Sequence, residues 1–370
     1  MFTENSRGKF ILILSIGCAF LYVVFLQFVS PAFYDPDSYY HIAISNFIKH
    51  YGLRYPFDWV QFSVFKNSFS DKDIFFHILN LPFLFFTDNL VLAGKCAFVF
   101  NAGLFLLAYA VILRKYLPYG LAAVFLLLPF TSSSFIVYFL QLRSFTLANI
   151  FTIVGIYFLI KKRLFGIFIV SLLYTWTHIS FFTIVFLALI CEVLRSRFDQ
   201  EFFLKNIYAA TAGVVVGFLL HPNFPNNFLS FYLNGIMVPW YSLSGTNVDF
   251  GSELLAFGTN VTLVANGALF ALSYWSDVPY FLCLNPKDKY INILDPIYML
   301  WPFPREHALL EELSLGKVDK PEVAINKIFK ADYGYLHKSE PLYRQLRNSA
   351  QYFKIIYEDI EGVVFELVKG

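Results

Sequence analysis

Charged residues are scarce in this 370-residue chain. They make up 15% of the sequence, whereas a soluble globular domain carries about 25%. The four cysteines are widely spaced, so the sequence defines no disulfide framework. No basic run of the kind that suggests a nucleic-acid partner is present. Glycine-rich phosphate loops, paired CxxC, HExxH and GxSxG are also absent from the sequence, which excludes the soluble enzyme classes that these motifs mark.

Apolar residues dominate instead. The chain is 58% hydrophobic and contains 46 phenylalanines and 24 tyrosines. A helix needs about 20 apolar residues to cross a bilayer. Seven segments meet or approach this requirement, at 10–30, 90–113, 117–135, 145–160, 164–178, 179–194 and 203–220. The sequence therefore predicts a polytopic α-helical membrane protein.

Basic residues set the predicted orientation, because lysine and arginine collect at cytoplasmic helix ends. They cluster at 7–9, 114–115, 161–163 and 195–197. These clusters all fall on one side, which places the N-terminus in the cytoplasm and residues 31–73 in a large outer loop. The run 74–87 is short and contains Pro82. Counting it as a span would reverse every later loop, so we expect a half-buried helix on the outer face.

No convincing span remains after residue 221, and from about residue 261 the composition shifts to mixed charged and apolar residues. Strand-like runs lie at 268–274, 289–295, 332–337, 353–359 and 363–369, and runs with helical spacing lie at 321–330 and 341–348. The sequence predicts a membrane module at 1–230, an outer linker at 231–260 and a soluble, extracytoplasmic α/β domain at 261–370.

Ionisable residues gather at the predicted outer membrane boundary. They are Asp35, Asp37, His41, Asp71, Asp73, His77, Arg143, His178 and His221. Such groups are costly near a membrane and commonly functional. Each has a plainer alternative: Asp35 or Asp37 would suit the N-cap of the following helix, and His178 or His221 would suit packing at a helix end.

This combination of side chains suits group transfer from a lipid-linked phosphate donor. The expected ligands of the donor phosphate are Arg143, His178, His221 and His41. The expected general base toward the acceptor is Asp37 or Asp35. The expected second carboxylate, or the ligands of Mg²⁺ or Mn²⁺, are Asp71, Asp73 and His77.

The stretch "DPDSYYHIAI", residues 35–44, resembles the aspartate motif in the first outer loop of oligosaccharyltransferase catalytic subunits. These enzymes belong to the GT-C superfamily of membrane glycosyltransferases. "FLQLRSF", residues 139–145, falls where that superfamily has its second outer loop. The resemblance implies a seven-span GT-C-like module and an inverting glycosyltransferase. Its donor would be a polyprenyl-phosphate-linked sugar or glycan, and its acceptor a protein, a lipid or a glycan.

The second half of the chain is shorter than in that superfamily. This is expected of a minimal enzyme, of an enzyme that needs partner subunits, or of an inactive relative. Two other classes remain open: a non-catalytic membrane scaffold of a polysaccharide or glycoprotein assembly complex, and a transporter. A transporter should carry ionisable groups at mid-bilayer. In this sequence the ionisable groups lie near the ends of the predicted spans, and Lys95 is the exception. We expect a multi-pass protein of the plasma (inner) membrane, with its active site and C-terminal domain on the extracytoplasmic face.

This orientation predicts that a cysteine at Ser339 is exposed outside the cell. In a variant whose four native cysteines are replaced by serine, it should react with a membrane-impermeant maleimide in intact cells. A cysteine at Lys162, in a predicted cytoplasmic turn, should react only after permeabilisation. Protection of position 339 in intact cells would contradict the predicted orientation.

Overall fold

The computed structural model describes residues 4–198, 203–244, 271–272, 277–293, 296–349 and 351–368. Most of them are helical. The α-helices are α1 (Glu4–Val29), α2 (Pro36–Tyr51), α3 (Phe65–Ser68), α4 (Ile74–Leu84), α5 (Leu90–Tyr116), α6 (Tyr119–Leu127), α7 (Ser133–Phe139), α8 (Phe145–Ile160), α9 (Leu164–Thr175), α10 (Thr183–Phe198), α11 (Lys205–Leu219), α12 (Asn226–Phe231), α13 (Val238–Ser244), α14 (Val278–Leu284), α15 (Ile297–Leu300), α16 (Pro304–Ser314), α17 (Pro321–Val323) and α18 (Pro341–Asn348). The strands are β1 (Ala271–Leu272), β2 (Tyr333–His337), β3 (Phe353–Glu358) and β4 (Gly362–Leu367).

Within the described ranges, three helical segments are long and apolar enough to cross a membrane. They are Ser6–Val29, Leu90–Tyr116 and Ile179–Phe198. The last one joins a 3₁₀ turn at Ile179–Phe182 to α10. These segments match the first, second and sixth predicted spans, and they indicate a membrane-associated protein.

The four remaining predicted spans correspond to shorter apolar helices. α8, α9 and α11 contain 16, 12 and 15 residues, which at ~1.5 Å per residue is less than the ~30 Å of a hydrocarbon core. The predicted span 117–135 is interrupted at Ser132, whose side chain accepts the N–H of Phe135 and caps α7. The fold therefore contains three helices of spanning length in the described part of the chain, and seven spans are not established.

The chain divides into two compact units. Unit 1 comprises Met1–Tyr34, Ile44–Arg54 and Asp71–Phe231, and unit 2 comprises Asp35–Ala43, Tyr55–Ser70 and Tyr232–Gly370. Unit 2 therefore includes two segments of the predicted outer loop in addition to C-terminal residues. Residues 245–270, which contain much of the predicted linker and the start of the predicted C-terminal domain, lie outside the described residues.

In unit 1, α9 and α11 pack closely because two glycines of α11 face α9. A Cβ atom on Gly213 would lie 2.4 Å from the carbonyl oxygen of Phe168. A Cβ atom on Gly217 would lie 2.9 Å from Cβ of Thr175. Glycines four residues apart lie on one helix face and allow close backbone approach, as is common between apolar helices.

Lys95 is buried in α5, although it is charged. Its Nζ atom donates to the carbonyl oxygen of Gln27 at 2.9 Å and also to that of Ser30. The last carbonyl groups of a helix have no partners within that helix, and a cation there also complements the helix dipole. Lys95 therefore caps the C-terminal end of α1.

Glu192 is the buried acid of α10, with 0% of its surface exposed. Its Oε1 accepts from Asn206 Nδ2 at 2.7 Å and also from Arg195, and its Oε2 accepts the N–H of Phe203 at 2.7 Å. Arg195 and Asn206 both donate in addition to the carbonyl oxygen of Leu159. The Glu192 carboxylate therefore joins the ends of α8 and α10 to the start of α11.

We predict that Glu192→Gln destabilises the protein by about 3 kcal/mol, because removing one partner of a buried ion pair leaves the other charge uncompensated. Asp88→Asn, at an exposed position of the same unit, should change the unfolding free energy by less than about 0.5 kcal/mol. Unfolding of the detergent-solubilised full chain would measure both variants. Equal stability of Glu192→Gln and the parent would contradict the role of this carboxylate.

The sheet of unit 2 has the strand order β1-β2-β4-β3. β1 pairs with β2 in parallel, and the other pairs are antiparallel. β2, β3 and β4 confirm the strands predicted at 332–337, 353–359 and 363–369, and α18 confirms the helix at 341–348. The run at 289–295 forms an isolated bridge from Tyr290 to Val60 in its described part. The helical run at 321–330 is α17 followed by a π-helical turn, Ala324–Ile328.

One face of this sheet packs against the helices that precede and follow β2. The buried cluster contains Phe329 of the 321–330 segment, Leu342 and Leu346 of α18, and Leu336, Val363 and Phe365 of the sheet. The ring of Phe365 covers Gly334, where a Cβ atom would lie 2.3 Å from it. On the other face, the Tyr335 ring contacts Phe281 of α14, with 5.5 Å between centroids.

Residues of the predicted outer loop form part of the core of unit 2. The N–H groups of Gln61 and Phe62 donate to the carbonyl oxygens of Tyr290 and Ile291, at 2.8 and 2.9 Å. The Phe62 side chain packs against the buried cluster around Phe329, with 5.5 Å between the ring centroids. The segment Tyr55–Ser70 is therefore structurally integrated with C-terminal residues that follow it by more than 200 positions.

Candidate functional site

Asp71 is the centre of a buried polar network in unit 1. Its Oδ2 lies 2.6 Å from Nδ1 of His77, and its Oδ1 accepts the N–H of Asp73 at 3.0 Å. This hydrogen bond fixes the orientation of the imidazole ring. His77 lies one helical turn after Asp73 at the start of α4, and Asp71, Asp73 and His77 form one cluster.

Asp73 points toward α8. Its Oδ1 accepts the hydroxyl of Ser144 at 2.8 Å, and it occupies the N-cap position of α4 without making a side-chain cap bond. Burial raises the pKa of Asp73; the charge of Asp71 adds to this effect, while Lys72, His77 and the Ser144 hydrogen bond oppose it. The Asp73–Ser144 bond joins the start of α4 to the start of α8.

The loop after α11 holds the backbone of Asp71. Asn223 Oδ1 accepts the N–H of Asp71 at 3.0 Å, and the side chain of His221 hydrogen-bonds to the Asp71 backbone. His221 Nδ1 accepts the N–H of Asn223 at 3.1 Å, so Nε2 is the donor. Burial lowers the pKa of His221 to about 4, against the opposing effects of the Asp71 charge and backbone bond. His221 is therefore neutral at pH 7 and supports Asp71.

Lys72, Arg143 and His178 form a second arrangement in unit 1, which we call the basic group. All three residues are half-buried. Burial lowers the pKa of His178 to about 3, and the charges of Lys72 and Arg143 lower it further. His178 Nδ1 accepts the N–H of Ser180 at 3.1 Å, so the neutral ring carries its proton on Nε2. The basic group combines two cations with a neutral N–H donor, and such donors favour anionic oxygens.

The carboxylates of the Asp71 network fit a divalent cation poorly. Both oxygens of Asp71 and one oxygen of Asp73 already interact with hydrogen-bond donors of the protein. Within the part of the chain that the structure describes, no group of three or more His, Cys, Asp or Glu side chains is arranged to hold a metal ion. Binding of Mg²⁺ or Mn²⁺ remains a prediction from the sequence.

Asp35 and Asp37 belong to unit 2, and they have different environments. Asp35 is the N-cap of α2: its Oδ1 accepts the N–H of Ser38 at 3.0 Å, and its Oδ2 accepts the Ser38 hydroxyl. Pro36 follows at the first helical position, which is a common arrangement at a helix start. Asp37 lies in the first turn and is half-buried. The capping alternative left open by the sequence therefore applies to Asp35.

Residues of the C-terminal part of unit 2 lie near these two aspartates. The rings of Tyr39 and Tyr280 are 4.4 Å apart between centroids. Burial raises the pKa of Tyr280, and the electrostatic effects of Tyr39, Asp35, Asp277 and Asp37 raise it further. The predicted phosphate ligand His41 is buried beside Tyr40 in the same unit.

His337, at the end of β2, connects two acidic residues of unit 2. Its ring Nε2 lies 3.6 Å from Oδ2 of Asp277, and its backbone N–H donates to Oε1 of Glu340 at 3.2 Å. Burial lowers the pKa of His337, but the hydrogen bond and charge of Asp277 outweigh it, so the net pKa is raised. Burial raises the pKa of Glu340 to about 7; Asp277 adds to the rise, while the His337 N–H opposes it.

We predict that Glu340 makes the protein less stable as the pH rises. A carboxyl group whose folded pKa lies near 7, above an ordinary value of 4.5, contributes stability below pH 4.5 that is lost as the pH rises through 7. The loss should reach about 3 kcal/mol. Glu340→Gln should remove this component between pH 4.5 and 8.5, whereas the exposed Glu312→Gln should retain it. Chemical unfolding of the full chain at both pH values would measure this pH-dependent stability. Identical pH profiles for the parent and Glu340→Gln would contradict the prediction.

The structure distributes the nine residues predicted from the sequence over three arrangements. Unit 1 contains the Asp71 network with Asp73, His77 and His221, and the basic group with Arg143 and His178. Unit 2 contains Asp35, Asp37 and His41. The residues not anticipated from the sequence are Lys72, Ser144, Asn223, Asp277, Tyr280, His337 and Glu340. Three of them had a local signal, because Lys72 lies between two predicted aspartates, Ser144 follows Arg143, and Asn223 is two residues from His221.

No protein-family model, no curated protein and no solved structure matches this chain. The structural class of this chain therefore rests on the described fold and sites. It is a membrane-associated, mainly helical protein with a small α/β unit, and its helical unit contains a buried carboxylate network and a half-buried basic group.

Proposed function

We propose that the chain is a membrane glycosyltransferase of GT-C type. It would transfer a sugar or glycan, with inversion, from a polyprenyl-phosphate-type lipid donor to an acceptor at the extracytoplasmic face of the plasma (inner) membrane. The observation that carries this proposal is the basic group. Lys72 and Arg143 are half-buried and act electrostatically on a neutral His178, in the same unit as three helices of spanning length.

The basic group suits a phosphate that leaves with its lipid. The guanidinium of Arg143 can donate two parallel hydrogen bonds to phosphate oxygens, and Lys72 adds a second positive charge. His178 remains neutral because of its low pKa, so its Nε2–H would donate without releasing a proton. The buried carboxylates of Asp71 and Asp73 flank Lys72 in the sequence and hold the start of α4. The polyprenyl chain attached to the phosphate would lie among the apolar helices of unit 1.

Asp37 is the better candidate for the general base. Both oxygens of Asp35 accept bonds from Ser38, whereas Asp37 lies in the first turn of α2 and is half-buried. A carboxylate in that position would accept the proton of the acceptor hydroxyl or amide as the new glycosidic bond forms. The proposal includes a topology of seven membrane spans, with the active site on the extracytoplasmic side.

The test is sugar transfer from a polyprenyl-phosphate-linked donor by the purified full chain. Arg143→Gln should raise the KM for the donor about 10- to 100-fold with a smaller change in kcat, because a hydrogen bond to a charged group is worth about 1.5–3 kcal/mol. Asp37→Asn should lower kcat about 10²–10⁴-fold and leave the KM for the donor nearly unchanged. Asp35, which caps α2, is unchanged in this variant, so the melting temperature of Asp37→Asn should remain near that of the parent.

Lys66→Gln and Asp58→Asn are matched controls, because both residues are exposed and lie in the same predicted outer loop. Their kinetic constants should remain parental. Near-parental kinetics of Asp37→Asn and Arg143→Gln would show that the residue assignments are wrong. No transfer by the parent from any polyprenyl-linked donor would contradict the enzyme class and favour the non-catalytic scaffold.

A further inference from the structure

Basic side chains are concentrated at one end of unit 1, where α5, α8 and α10 end. We call this surface the basic belt and define it by Arg114, Lys115, Lys161, Lys162, Arg163, Arg195 and Arg197. Most of these residues are exposed, and Arg114 and Arg195 are half-buried. Among the residues that the structure describes there, Glu192 is buried and bonded to Arg195. The belt therefore presents an excess of positive charge to its surroundings.

Contacts around the end of α8 hold the members of the belt together. Lys115 Nζ lies 5.1 Å from the ring centroid of Tyr157, and Lys162 Nζ lies 5.5 Å from that of Phe203. Arg195 donates to the carbonyl oxygen of Leu159 at 3.2 Å. Cation–aromatic contacts of this kind orient the cations. The belt is therefore one surface formed by three helix ends.

Lys162 has a backbone conformation that glycine adopts with less strain. It terminates α8 with a φ of 53°, and its N–H donates to the carbonyl oxygen of Leu159 at 3.2 Å while that of Arg163 donates to Phe158 at 3.0 Å. This left-handed conformation after a helix is the one in which glycine is preferred, because a Cβ atom is strained there. A lysine at this position adds a charge at the expense of backbone strain.

Large apolar side chains surround the belt on the outside of the unit. Phe165 and Phe198 are each 78% exposed, and Tyr116 and Ile160 are about half-exposed. Aromatic and basic residues together are typical of the boundary between hydrocarbon and headgroups. This arrangement places apolar surface for lipid tails next to positive charge for headgroups.

We propose that the basic belt binds the phosphate headgroups of anionic phospholipids, with Lys162 as a contact residue. The charge of the belt complements such headgroups, and the neighbouring apolar side chains complement their acyl chains. An acidic protein would match the charge, but it would leave these apolar side chains uncovered. The inference concerns a surface that the proposed sugar transfer does not use, so it stands or falls independently of it.

The test is native mass spectrometry of the full chain in a neutral detergent, titrated with phosphatidylglycerol or phosphatidylcholine. The parent should bind phosphatidylglycerol more tightly. Lys162→Gly should lower that affinity about five-fold, since a basic residue at an anionic membrane surface contributes about 1 kcal/mol. Its melting temperature should not fall, because glycine relieves the strained φ. Replacing Lys161, Lys162 and Arg163 together by glutamine should lower the affinity more than ten-fold.

Lys330→Gly is the matched control. Lys330 has a φ of 52°, follows a helical turn in unit 2, and loses the same charge and the same strain on substitution. Its affinity for phosphatidylglycerol should remain parental. The proposal would be overturned by equal binding of the two lipids to the parent, or by an equal loss in Lys330→Gly and Lys162→Gly. Parental affinity in Lys162→Gly would overturn it even if the triple variant did not fold.

Discussion

The polar structure of unit 1 depends on the burial of one carboxylate, that of Asp71. A buried carboxylate is costly unless donors surround it, and Asp71 has them on every side. His77 and the N–H of Asp73 bond to its oxygens, while Asn223 and His221 hold its backbone. These bonds join the start of α4 to the loop after α11, about 150 residues later. The position of Lys72, and with it the basic group, follows from this attachment.

The same constraint explains where other charges of unit 1 lie. Lys95 is buried in a helix of spanning length, yet its Nζ bonds to carbonyl oxygens at the end of α1. Glu192 is fully buried and accepts hydrogen bonds from Arg195 near the end of α10 and from Asn206 and the N–H of Phe203 at the start of α11. Helix ends provide unpaired backbone groups, so a charge placed there replaces hydration that the apolar surroundings cannot supply. Lys95 therefore needs no transport function to explain it.

Local patterns predicted some elements well and others poorly. β2, β3, β4 and α18 were predictable because alternation and helical spacing are properties of adjacent residues. The helix at α4 was predictable from its short apolar run, although it continues through Pro82 to Leu84. The predicted span 117–135 was wrong as one helix, because hydropathy averages over Ser132, which ends one helical segment and caps the next. The capping role of Asp35 was foreseen only as an alternative, since sequence does not distinguish it from Asp37.

The sequence by itself determined the membrane association, the apolar helices, the principal strands and the set of ionisable residues available for a site. Hydropathy and periodicity carry this information because they depend on neighbouring residues. The tertiary structure alone decided which of these groups meet. It placed Lys72 with Arg143 and His178, joined His221 and Asn223 to Asp71, and built Tyr55–Ser70 into the core of unit 2 with Tyr290 and Phe329. These pairings join residues separated by about 70 to more than 250 positions, so they arise from the packing of whole helices and strands, which no local pattern specifies.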